Sequence, residues 1–396
     1  MRLVLAVPLL VAGCATGTAL APWPRSIAQV PLCAAGHAQI HADFEGARAD
    51  SCIVRSADRV SVLIGPERPP PINPSPWYAF RYRTGSQRPV TVELRYLGAD
   101  HRYHPKISRD GRTWGTIGPD RIATGSDESG PFTAITLPPG AGIVAAQELI
   151  GVDDHREHLA ALAELEGADR RVIGRSHDGR PIEVLIFGNP GSGRLIVLLG
   201  RQHPPEVTGA IAMQRFLEVL AGGGGAAARL RQDYRIIAIP LLNPDGVARG
   251  HWRTNMGGVD LNRDWGRFTQ PETRAARGFL AALMAEESLR PALMIDFHST
   301  RRNLFYLQGE DEPTRSPRLV QDWLRRAGPL LPGYEFQAVE RNANPGSGTA
   351  KNHFFETYGI PAITYEVGDE TDRESLLEAA HVFARTLAEE LSPPLR

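Results

Sequence analysis

From about residue 150 onward the chain alternates short apolar runs with longer amphipathic stretches, and this alternation restricts its fold more than any other feature. Residues 195–199 are uninterruptedly aliphatic, and 234–242, 292–297 and 362–367 are dominated by apolar side chains. A strand buried on both faces reads this way, because neither face has to meet water. Residues 155–165, 207–220, 272–286, 317–327 and 374–391 read as helices that cover those strands. Ahead of most of them, 172–180 and 181–187 form a predicted hairpin turning at Asp178-Gly179. The expected architecture is α/β, a mixed, largely parallel sheet flanked by helices.

The preceding part is patterned differently. Residues 60–64 end at Gly65-Pro66, and Pro69-Pro70-Pro71 follows. Residues 77–83 interleave aromatic and other side chains, 90–96 alternate at period two, and 108–114 contain the hairpin signal Asp110-Gly111. Short strands at this spacing predict an all-β sandwich. At 396 residues two domains are expected, with the β-sandwich over 31–148 and the α/β domain over 149–396. With 44 basic against 45 acidic residues, the charge balance gives no sign of nucleic-acid binding, and none is expected.

Met1-Arg2, an apolar run over 3–12 and Gly13-Cys14 stand apart from both domains. The run is too short to remain as a membrane-spanning helix and has the character of a signal-peptide core. Residues 10–14, Leu-Val-Ala-Gly-Cys, resemble the bacterial lipoprotein processing box. That resemblance implies a signal peptide over 1–14, lipidation of Cys14 and a tether over 15–30. Ala15 after the cysteine resembles lipoproteins sent to the outer membrane, so an exported, lipid-anchored protein facing the periplasm is expected. An ordinary secretion signal, with Cys14 incidental, is the alternative. Cys33 and Cys52 then remain, and an oxidising compartment favours a disulfide between them over two buried thiols.

The chemistry gathers after the apolar runs. His203-Pro204-Pro205-Glu206 sits where a strand should turn into a helix, so its imidazole and carboxylate can face one centre. Zinc accepts both donor types, and a catalytic zinc takes three protein ligands and keeps one position open. Asn243 and Asp245, His298, and Glu366 occupy comparable places on the other apolar runs. Open α/β sheets bind ligands at the carboxyl ends of their strands, so these groups are expected to converge, with His298 as third ligand. His101 and His104 lack such company and read as a solvated loop pair.

Residues 252–265, Trp-Arg-Thr-Asn-Met-Gly-Gly-Val-Asp-Leu-Asn-Arg-Asp-Trp, together with these segments resemble the zinc carboxypeptidases of the pancreatic type, the M14 metallocarboxypeptidases, over about 155–390. Phe44-Glu45-Gly46, Trp77-Tyr78-Ala79-Phe80, residues 108–114 and Arg201-Gln202-His203-Pro204-Pro205-Glu206 are similar to the cytosolic-carboxypeptidase-like subgroup, whose members carry a β domain in front. The subgroup's cytosolic location does not suit the export signal. The resemblance implies one zinc ion per chain held by His203, Glu206 and His298, with Asp260 supporting His203. It implies Arg253 at the scissile carbonyl, Asn262 and Arg263 on the substrate's terminal carboxylate, and Glu366 as general base. The expected activity is zinc-dependent hydrolysis of the C-terminal bond of peptides that carry a free terminal carboxylate.

Gly348-Thr349-Ala350-Lys351 resembles a Gly-Thr-x-basic element whose basic residue faces an acidic substrate side chain, so acidic C-terminal residues are expected to be preferred. The pancreatic enzymes' mobile tyrosine has no counterpart here, since Tyr358 lies too late. No inhibitory pro-segment is evident, which predicts activity without trimming. Two other readings stay open: an amidohydrolase of N-acyl amino acids on the same zinc scaffold, and a catalytically silent peptide-binding lipoprotein.

Overall fold

The computed structural model describes residues 30–393 except 86, 310 and 341–344. The signal peptide, Cys14 and the tether up to residue 29 lie outside the described residues.

The α/β part is built on an eight-stranded sheet. Its centre is parallel, with Arg235–Ile239, Arg194–Gly200, Arg290–Thr300 and Ala362–Gly368 side by side in that order. One margin is the antiparallel hairpin Asp169–Arg175 and Pro181–Gly188, which turns around Asp178-Gly179 as expected. The other margin carries Leu304–Leu307, antiparallel to its neighbour, and then Gln337–Glu340. Successive side chains of a strand point to opposite faces. Ile196 and Leu198 therefore pack under the helices Val207–Gly222, Leu319–Ala327 and Arg373–Leu391. Leu195, Val197 and Leu199 pack on the other face against Pro271–Glu286 and Ala350–Tyr358. Covering both faces is what makes residues 195–199 continuously apolar.

The N-terminal part is all-β. A six-stranded sheet runs Cys33–Ala35, Ala38–His41, Ala79–Thr84, Ala141–Ala145, Lys106–Ser108, Trp114–Thr116. A five-stranded sheet runs Ser51–Ser56, Arg59–Ile64, Val90–Tyr96, Gly130–Leu137, Ile122–Asp127. Ile40, Phe80 and Val144 of the first sheet share a core with Val60, Val62, Val92, Leu94 and Ile135 of the second. Most pairings are antiparallel, but Arg59–Ile64 and Val90–Tyr96 are parallel, because residues 65–89 leave the sheet and return before the chain re-enters. A Cys33–Cys52 disulfide joins the edge strands of the two sheets, with Cα atoms 5.6 Å apart. His101 and His104 are not a solvated pair. Both are half-buried, His101 against the Tyr96 hydroxyl at 2.8 Å and His104 against the Ile117 carbonyl at 2.7 Å.

The β part is tied to the α/β part at the functional end. Trp252, from the latter, is fully buried in the β core and donates its indole N–H to the Trp77 carbonyl at 3.0 Å. Arg102 and Lys106 pair with Asp369 and Glu370 at 2.8 and 2.6 Å, just beyond the strand Ala362–Gly368.

Candidate metal centre and cleft

Three neighbouring strands set the centre. Arg194–Gly200 ends at Arg201, whose φ of 53° turns the chain sharply. The buried Arg201 guanidinium donates through Nε to the Pro204 carbonyl at 3.0 Å and closes the corner 203–206. Glu206 then directly precedes the helix Val207–Gly222. On the adjacent parallel strand Gly200 pairs with Phe297, so His298 comes level with Arg201, where the chain turns. The next strand places Glu366 directly opposite His298.

The donor atoms face inward. Nδ1 of His203 lies 2.8 Å from Oε1 of Glu206, Nδ1 of His298 lies 2.7 Å from Oε2, and the two Nδ1 atoms are 3.2 Å apart. All three side chains are buried, and their donor atoms lie within 4.8 Å of one another. The outer nitrogens are each held by a carboxylate. His203 Nε2 meets Asp260 Oδ1 at 2.9 Å, and His298 Nε2 meets Asp296 Oδ2 at 2.8 Å. Such partners take the outer N–H and leave the inner nitrogen a lone pair. Two imidazole lone pairs and a carboxylate facing one another in a dry pocket repel unless a cation lies among them. In tetrahedral zinc coordination, bonds of about 2.0–2.1 Å put neighbouring donors about 3.3 Å apart, close to the separation of the Nδ1 atoms. The set therefore fits a divalent metal of zinc's preferences.

The electrostatics agree. Burial alone would raise the Glu206 carboxyl, but the imidazoles of His203 and His298 overcome it and hold it far below the carboxylate range. Burial works against a charged His298, yet Asp296 and Glu206 draw it strongly toward protonation. These anions attract a cation, and a metal ion can take the proton's place. Burial pushes Glu366 up to about 7, with the charge of Glu206 adding to the rise and the imidazole of His298 opposing it.

A cleft of about 990 Å³ opens over the cluster, and His203, Glu206, His298, Arg253, Asn262, Arg263, Lys351 and Glu366 all line it. Asp260 lies behind it and bridges, receiving Arg253 Nε on Oδ2 at 2.8 Å while Oδ1 faces His203. Burial would raise Asp260, but His203 and Arg253 hold it far below its usual range. Arg263 donates to the Asn262 carbonyl at 2.7 Å, and among the described residues no carboxylate lies within ion-pairing distance of it. Asn262 accepts the Ala350 N–H on Oδ1 at 2.8 Å, and its Nδ2 is 3.1 Å from His298 Nε2. Lys351 is buried, and burial pulls its ammonium below the ordinary range, with Glu312 the countercharge that opposes the fall.

Asn243 and Asp245 do not join the cleft. Asn243 Oδ1 caps the short helix Pro244–Ala248, and Asp245 accepts from Ser176, the Asp178 amide and Arg180. A polar residue beyond a strand end can cap the next helix as readily as face a ligand. Asp296, the carboxylate on the outer nitrogen of His298, was not among the site residues expected from the sequence. Its signal was available, since Asp296 and His298 are two apart on one strand and share a face. The β part's contribution to the cleft, Asn73, Pro74, Ser75 and Arg102, carried no such signal. Tyr306, on the strand Leu304–Leu307, also lines the cleft.

A model of the zinc carboxypeptidase family, peptidase M14, matches residues 167–391. An uncharacterized protein of Zymomonas mobilis is 32% identical over 166 residues, 41% of this chain and 41% of that protein. Cytosolic carboxypeptidase 2 of Danio rerio is 33% identical over 172 residues, 41% of this chain and 23% of that protein. The matched stretch thus spans less than half the length of these curated relatives. The fold is shared with a metallo-carboxypeptidase from Burkholderia cenocepacia, with a TM-score of 0.74, 19% identity and coverage of 89% of this chain and 98% of that one. It is also shared with a metallo-carboxypeptidase from Pseudomonas aeruginosa in complex with (2-guanidinoethylmercapto)succinic acid, with a TM-score of 0.70, 23% identity and coverage of 89% and 100%.

Proposed function

The chain belongs to the zinc carboxypeptidase family, peptidase M14, and from that premise we propose that it releases C-terminal residues from peptides by zinc-dependent hydrolysis, with Glu366 as proton carrier. The observation that carries this reading is the buried His203–Glu206–His298 cluster with a carboxyl, Glu366, opposite His298 in register. When bound, zinc polarises a carbonyl and brings the pKa of water toward about 7.

The residues of the chain divide the remaining work. Glu366 takes a proton from the attacking water and later delivers it to the leaving amine, and a carboxyl raised by burial suits both tasks. Arg253 keeps Nε on Asp260, so its terminal nitrogens can meet the developing oxyanion. Arg263 lines the cleft half-buried and has no ion-pair partner among the described residues, and its planar fork matches a terminal carboxylate. The Pseudomonas structure holds a succinic acid derivative, a dicarboxylate of the chemistry these two arginines and Lys351 would accept. An endopeptide lacks that carboxylate, so the reading is of an exopeptidase. The disulfide and the signal-like residues 3–14 support placement outside the cytoplasm, anchored through Cys14.

Lys351 is read as the side-chain selector. A buried ammonium offset, among the described residues, by Glu312 favours a substrate carboxylate beyond the one on Arg263. The test uses matched peptides ending in Glu or Lys, each as free acid and as amide. The free Glu peptide is expected to be cleaved at least tenfold more efficiently than the Lys peptide, since each 1.4 kcal/mol of pairing is about tenfold. Lys351→Glu should reverse the ratio, and the amides should resist cleavage. An unchanged ratio in Lys351→Glu would remove the selector role, and cleavage of the amides would remove the exopeptidase reading.

A further inference from the structure

Arg253 is held in the cleft from two sides, and the second hold comes from the β part. Its side chain is tied to Asp260. Its backbone is tied to Glu67, which follows the strand Arg59–Ile64 and belongs to no element of the α/β part. Oε1 of Glu67 accepts the Arg253 amide at 3.1 Å, the Thr254 amide at 2.6 Å and the Thr254 hydroxyl at 2.8 Å. Oε2 accepts the Trp252 amide at 2.8 Å. Three successive N–H groups thus converge on one carboxylate, an anion-binding nest whose anion is supplied by the chain itself. Among the described residues those three amides have no other acceptor. The neighbouring Arg68 reaches the same loop through the Gly258 carbonyl at 2.7 Å.

We propose that Glu67 is a positioning residue for the reaction, fixing the backbone of Arg253 so that its guanidinium stays beside Glu206 and Asp260. The proposal rests on the carboxypeptidase reading of the site and adds a role for the β part. The Arg253 Nη1 atom lies 3.9 Å from Glu206 Oε1, so a small shift of its backbone moves it with respect to the centre. Displacements of about 1 Å at such groups can cost about 100-fold in rate. Only an ionised carboxylate can accept all four donors. A glutamine has one acceptor oxygen, and its amide would set N–H against N–H at Trp252.

The test is a double-mutant cycle on release of C-terminal Glu by the zinc-loaded full chain, with Glu67→Gln, Arg253→Ala and the double variant. Glu67→Gln is expected to lower kcat about tenfold with KM within about twofold and zinc content unchanged. In the Arg253→Ala background it should change kcat by less than about twofold, because residues acting through one group are not additive. Hydrogen exchange supplies a second readout. Amides of residues 252–254 should exchange at least tenfold faster in Glu67→Gln, while those of the strand Arg194–Gly200 stay protected. Should Glu67→Gln fail to fold, Thr254→Val, which removes one donor to the same oxygen, should lower kcat about threefold with the same non-additivity. An equal fall in both backgrounds, an unchanged kcat, or unchanged exchange at 252–254 would each overturn the proposal. A wild-type protein that releases no residue would instead remove the carboxypeptidase reading, and the exchange measurement would still decide whether Glu67 holds this loop.

Discussion

Glu366→Gln is expected to lower kcat by about 10²–10⁴-fold, the range a positioned proton carrier contributes, while leaving zinc content at the wild-type level. The substitution keeps size and shape but cannot accept a proton from water. Glu366 is not among the three clustered donors, so the metal should stay. It sits opposite His298 across a central strand pair of the sheet, so its position is set by the sheet itself. The pH profile should carry the same signature. Glu366 must be ionised to take a proton, and burial raises its pKa to about 7, with Glu206 adding to the rise. A bound cation nearby favours the charged form and lowers that value. Activity of the zinc-loaded protein should therefore fall as pH falls through a pKa at or below about 7. In Glu366→Gln that acid limb should be lost from the residual rate. A variant as active as wild type would show that Glu366 is a bystander.

Loss of a donor should be as severe. In His298→Ala the centre keeps one imidazole and one carboxylate, which is short of the three protein ligands a catalytic zinc uses. Zinc content of the dialysed protein should drop from about one per chain to below about 0.1, and peptide hydrolysis should disappear with it. Stability should report the same event, since a ligand bound only by the folded state stabilises by about 4 kcal/mol at a thousandfold excess over Kd. For a folded part of this size each kcal/mol moves Tm by about 2–4 °C. Chelation should thus lower the wild-type Tm by about 10 °C, and zinc should restore it. His298→Ala should show no response to either treatment. A zinc-dependent Tm in His298→Ala would place the metal elsewhere.

The features of the fold and site visible in the amino-acid order share a physical reason. Residues 195–199, 292–297 and 362–367 are apolar because they are covered on both faces, and that burial fixes which chain ends meet. His203, Glu206, His298 and Glu366 could be brought together from that rule alone, because register places strand ends side by side. The same rule misplaced Asn243 and Asp245, which satisfy a helix start and a hairpin instead. The helix Ala350–Tyr358 is not among the expected helices, because Gly348-Thr349-Ala350-Lys351 points to a substrate-facing element and not to a helix start. In the structure Gly348 turns the chain with φ 74° and the Thr349 hydroxyl caps the helix at Asn352. Glu67 and Arg102 were out of reach for a different reason. Their partners, the Trp252 to Thr254 amides and Asp369, lie about 190 and 270 positions away, and no periodicity links a loop of one region to a loop of another.

The most direct test of the whole account is hydrolysis of a free-acid peptide ending in two glutamates by the zinc-loaded protein in H₂¹⁸O, followed by mass spectrometry over time. The expected product is shorter by one C-terminal residue and carries one ¹⁸O at its new carboxylate, and none forms after chelation until zinc is returned. Intact peptide in the presence of stoichiometric bound zinc, internal cleavage, or release that persists without metal would contradict it.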